Sequence, residues 1–154
     1  MDKLSELLNE LESKIPKQEL INQAISKSSV GWHIEHTLLT INLIIRALKN
    51  SNTKDYKRKF NFPRVLVFSM NKIPRGRAKS PRVVQPKNNF NVESLKKHTE
   101  IAAERIKELS SLKTDNFFEH PVFGNLNLKP TIKFLEIHTK HHIEIINDII
   151  KSVN

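Results

Sequence analysis

Phe134-Leu-Glu-Ile-His138-Thr-Lys-His141-His142-Ile-Glu-Ile-Ile-Asn-Asp-Ile-Ile150 is the stretch on which the reading of the chain turns. Its apolar residues recur at three- and four-residue steps, the mark of an amphipathic helix. His138 and His142 are four apart, so a helix stacks the two imidazoles on one face. The same stripe continues through Ile145 and Ile149 and so points into the protein. Two histidines aimed at an apolar interior call for a partner, and a divalent metal ion is one.

Pro130 suits the first turn of this last helix. A second long helix is expected from Val30 to about Lys49, with Ser28 or Ser29 as its N-cap. Its middle, Leu38 to Leu48, is apolar nearly all round, which places it centrally among neighbours. His36 lies on it, in line with Thr40, Leu43 and Ala47. Asp2 to Ile15 reads as a helix through Leu4, Leu7, Leu8, Leu11 and Ile15, ended by Pro16. A short helical turn is expected over Gln18–Ala24. Val92 to Leu112 is the remaining long helix, with Leu95, Ala102, Ile106 and Leu109 on one side. Lys54–Lys59 reads as a short basic helix, and Arg64–Met70 as either strand or buried helix. Pro74 to Pro81 is a loop, and Lys113 to Leu128 is an aromatic-rich connection. Four long helices without a clear strand pattern predict an all-α four-helix bundle. It carries a long basic insertion between the second and third main helices, in a single domain spanning 1–154.

A chain of 154 residues is long enough to bury a real core. It has no cysteine, which excludes disulfides, thiolate metal sites and a cysteine nucleophile. Any metal must therefore sit on nitrogen and oxygen. The N-terminus reads as an amphipathic helix rather than a signal peptide, and no apolar run reaches the ~18 residues that span a bilayer. The expectation is a soluble cytoplasmic protein without a membrane partner.

The net charge of +10 is concentrated. Residues 54–87 hold eleven basic residues against Asp55 alone, which equals the whole net charge. Within this segment Arg75, Arg77, Lys79 and Arg82 are candidates for gripping a small anionic substrate, since arginine forks match phosphate and carboxylate. Folded over a metal site, the loop would act as a lid. Binding of nucleic acid or another polyanion by 54–87 is the alternative. No recognition-helix motif supports it, and the segment is not read as an aromatic stacking platform.

Seven histidines are present. His36 with His138 and His142 is the combination that makes a site: an i, i+4 pair from one helix, closed by a third imidazole from a facing helix. Three protein ligands with open positions are the catalytic kind of metal site. His33 could share the face of His36 and is the substitute ligand. His141 points ~100° away from His142 and reads as a surface or neighbouring residue. His98 is expected in solvent, and His120 in packing. Glu35, Glu119, Glu136 and Glu144 are possible acid–base helpers, but none has a spacing that singles it out as a general base.

Ser-Val-Gly-Trp-His-Ile-Glu-His36, together with Phe-Leu-Glu-Ile-His138-Thr-Lys-His141-His142, resembles the two signatures of the DinB/YfiT-like superfamily. The resemblance implies a four-helix bundle in which His36, His138 and His142 hold a divalent metal. Zinc, nickel, iron and manganese are all compatible with such ligands. Lys129-Pro130 stands where the family usually has Thr-Pro or Ser-Pro. Some relatives are thiol-dependent transferases or isomerases. The implied function is a metal-dependent transferase or hydrolase acting on a small anionic or thiol-containing substrate. The alternative is a non-catalytic binding protein. A symmetric homodimer is expected, since twofold pairing is the commonest assembly.

Overall fold

The computed structural model describes residues 2–76 and 80–153. Among the described residues 63% are helical, in five α-helices and four short 3-10 turns, and there is one small two-stranded sheet. In chain order these are α1 (Lys3–Glu12), α2 (Val30–Asn50), α3 (Phe62–Met70), α4 (Val92–Glu108), β1 (Phe117–His120), β2 (Gly124–Asn127) and α5 (Leu128–Ser152). Helix α1 packs on α4 and α5, and α2 packs on the same two helices. Leu4, Leu11, Ile34, Leu38, Ile41, Leu95, Leu135 and Ile146 fill the space between them. No helix among the described residues is long and apolar enough to cross a membrane.

Local chemistry sets the helix ends. Asp2 caps α1 by accepting from Ser5 N, and Ser29 caps α2 by accepting from Trp32 N. Asn91 and Ser94 form a reciprocal capping box at the start of α4. The first backbone amides of α2 are taken up by the preceding loop: Val30 N donates to Leu20 O and Gly31 N to Gln18 O. That approach requires glycine at 31. A Cβ there would lie 2.5 Å from Phe90 Cε2 and 3.1 Å from the Gln18 carbonyl oxygen. In an open helix Gly→Ala stabilises by about 1 kcal/mol. Here the backbone carbonyl cannot step aside, so Gly31→Ala is expected to destabilise by about 1–3 kcal/mol. A urea midpoint below that of wild type checks this, and a higher midpoint refutes it.

The structure departs from the sequence expectations at two places and decides a third between its two alternatives. The connection after α4 contains a hairpin, so the fold is not purely α. His120 pairs with Gly124 and Phe117 with Asn127 across it. Gly124 closes the three-residue loop at φ +68°, a conformation that suits glycine. The ambiguous run 64–70 is helix α3. Asn61 accepts from Arg64 N at its start, and Asn71 takes the left-handed conformation (φ 52°) at its end. The helix expected over 54–59 does not form: Thr53–Asp55 is a single 3-10 turn, and irregular chain follows it. In place of one short helical turn over 18–24 there are two separate turns, one continuing from Ile15–Lys17 and one in which Asn22 O accepts from Ile25 N and Ser26 N.

Candidate metal centre

Helix α2 carries His33 and His36 on its second turn, and α5 carries His138, His141 and His142 near its middle. Because these two helices pack face to face, the imidazoles converge. One ring nitrogen each from His36, His138 and His142 lies within 4.8 Å of the others. Ring centroids are 4.7 Å apart for His36 and His142, 4.6 Å for His138 and His142, and 5.1 Å for His36 and His138. Metal–nitrogen bonds of about 2.1 Å leave tetrahedral ligand atoms roughly 3.4 Å apart, so small ring rotations would complete such a shell. No carboxylate belongs to this group.

Every ring has its surroundings fixed. His36 Nδ1–H donates to Val84 O at 2.7 Å, which leaves Nε2 bare. Trp32 stacks on the same ring at 5.0 Å. His142 Nδ1 lies 3.0 Å from His33 Nδ1, and His33 Nε2 lies 2.9 Å from Ser26 Oγ. His138 Nδ1 is buried without a hydrogen-bond partner. A buried ring nitrogen with no partner is costly, and an ion is one way to offset that cost.

Burial also holds these groups neutral. It pushes His138 and His142 well below the ordinary imidazole value, and the neighbouring imidazoles push in the same direction. His36 is lowered by burial, partly opposed by its bond to Val84. His33 falls to about 4 through burial, then through His36, His141 and Arg75. Neutral imidazoles present lone pairs, and metal ions need those lone pairs.

Comparison of the chain with protein-family models, curated proteins and solved structures finds no match. The basic loop does reach the histidine cluster. Val84 is buried and its carbonyl accepts from His36, and the Ile73 backbone lies near enough to His141 to oppose part of the lowering that burial imposes on it. Arg75 lies close enough to depress His33 and His141, and its Nη1 donates to Asp148 on α5 at 2.8 Å. Arg82 is exposed on the 3-10 turn Arg82–Val84, and no contact ties its side chain to the cluster. Arg77 and Lys79 lie outside the described residues.

Of the remaining candidates, His120 packs. It stacks on Phe123 at 4.4 Å, and its Nδ1 accepts from the amides of Val122 and Phe123. Burial lowers it to about 4. His98 is not a free solvent residue. Its Nδ1 donates to Glu35 Oε2 at 2.9 Å, joining α4 to the buried Glu35 of α2. The polar neighbours Lys96 and Lys97 suggested solvent, but position 98 lies between Leu95 and Ala102 on the packed side. Glu144 sits 4.0 Å from Lys140 on the surface of α5. Sequence reasoning passed over His33 as the partner of His142, and passed over the carbonyl of Val84. His33 has a sequence signal, three residues before His36; a backbone carbonyl 48 positions away has none.

Proposed function

We propose that the chain is a metal-dependent enzyme whose divalent ion is held by His36, His138 and His142. The observation that carries this reading is the convergence of three neutral imidazoles, His36 and His142 buried and His138 partly so, the last with a buried Nδ1 that has no protein partner. The ring of contacts among α1, α2, α4 and α5, together with the order of the histidines, supports a four-helix bundle of the DinB/YfiT-like kind.

In this reading the ion would make a coordinated water or thiol more acidic. The chain's own residues do the positioning. Val84 O holds His36 in the tautomer that bares Nε2. His142 bares its own Nε2 when its Nδ1–H donates to His33 Nδ1 and His33 Nε2–H donates to Ser26 Oγ. Such outer partners fix ring orientation and raise ligand basicity. Arg75, clamped by Asp148 at the edge of the cluster, supplies positive charge for a small anionic substrate.

The test is the metal content of untagged protein beside the His138→Gln/His142→Gln variant. The expected result is about one ion per wild-type chain and none in the variant, with both proteins folded by circular dichroism. Equal metal content, or no uptake by wild type of zinc, nickel, iron or manganese, overturns the reading.

A further inference from the structure

Helix α3 is apolar nearly all round, yet it packs by one side only. Val67 and Phe68 turn toward the core, Phe68 edge-on to Phe123 at 5.9 Å. No residue of α3 is buried. Phe62, Val65, Leu66 and Met70 form the opposite stripe, at spacings that share one helical face. Phe60, just before the helix, is 81% exposed, and Phe62 is 64% exposed. Asn61 Nδ2 donates to Val122 O, which sets the exposed Val122 beside the same stripe. A contiguous apolar surface of this kind marks an interaction site.

Cations rim it. Lys57, Arg58 and Lys59 are exposed on the segment leading into α3, and Lys72 is exposed just past its end. Among the described residues none of these four makes an ion pair. Asp55 and Glu119 are the nearby acids, and they are outnumbered. Apolar side chains flanked by uncompensated cations match an anionic lipid surface. The apolar groups enter the acyl boundary while lysine and arginine meet the phosphates.

We propose that α3, with residues 57–60 and Val122, is a peripheral docking surface for an anionic phospholipid bilayer. It departs from the expectation of no membrane partner without requiring a spanning helix. A second copy of the chain fits less well, because a twofold axis would bring like-charged rims together. Single-stranded nucleic acid could stack on Phe60 and Phe62, but Val65, Leu66, Met70 and Val122 gain nothing from bases. The depression beside Phe60 has a mixed lining, Phe123 with Lys59, Asn61, Glu119 and Asn125, rather than the continuous apolar groove a partner helix would need.

The test is cosedimentation of the full chain with vesicles of phosphatidylcholine alone, and of phosphatidylcholine mixed equally with phosphatidylglycerol. Binding to the mixed vesicles is expected to be at least about tenfold tighter. Phe60→Ser/Leu66→Ser keeps every cation and changes only exposed side chains, so it should melt like wild type yet lose about tenfold in binding. Lys57→Gln/Arg58→Gln/Lys59→Gln should lose a similar factor. Wild-type binding by the serine variant would show attraction by net charge alone and overturn the proposal. So would equal binding to neutral vesicles or no binding to either. Tighter binding to a single-stranded oligonucleotide, or a dimer dispersed by the serine variant, would also overturn it.

Discussion

Metal-free protein is expected to lose stability steeply as pH falls from 6.5 toward 4. The cause is the buried histidine cluster. His33 and His120 are lowered from 6.5 to about 4 by burial, and His36, His138, His141 and His142 are lowered as well. Between those values the unfolded chain binds protons that the folded chain refuses. Stability therefore rises with pH across this window and is level above it. For His33 alone, which is buried, the span from 6.5 to about 4 corresponds to an upper figure on the order of 3 kcal/mol. Several such groups would bring the protein close to its total stability.

Thermal unfolding at pH 7.5 and pH 4.5, in the presence of a chelator, measures this. The melting temperature is expected to drop by more than about 10 °C. Unfolding near pH 5.5 should take up about two protons or more per molecule. A melting temperature that stays level from pH 7 to pH 5 would show that these rings are hydrated in the folded state. Bound metal adds to the effect, because protons and metal compete for the same lone pairs.

Replacing His33 by phenylalanine is expected to weaken zinc binding by about 10–100-fold, although His33 is not among the three converging ligands. Phenylalanine keeps the buried ring and its edge-on contact with Trp32 but leaves His142 Nδ1 without its partner. The orientation and tautomer of His142 are then free to change. Calorimetric titration with zinc separates the possibilities. An affinity equal to wild type would make the His142–His33–Ser26 chain incidental to the ion. A loss as complete as that of His36→Gln would make His33 a ligand in its own right. The intermediate result is the one the geometry supports.

Much of this could be read from the chain itself. The i, i+4 pair His138/His142 and the apolar steps through Ile145 and Ile149 identify α5, because a 3.6-residue period leaves a direct mark on sequence. The caps Ser29, Asn61 and Asn91 mark helix starts for the same local reason, and Asn61 is the local signal that favours helix over strand for α3. Tyr56, Phe60 and Phe62 stand among Lys57, Arg58 and Lys59, so the basic segment does carry interleaved aromatics, contrary to the expectation that it is no stacking platform.

Other features exist only in three dimensions. His33 meets His142 across 109 residues, His98 meets Glu35 across 63, and Val84 O meets His36 across 48. A residue's own neighbours carry no trace of such partners. The two faces of α3 are equally apolar in sequence, so only packing decides that Val67 and Phe68 turn inward while Val65 and Leu66 meet water. Periodicity says which residues share a face of a helix. It cannot say what covers that face, because burial depends on the elements that happen to pack there.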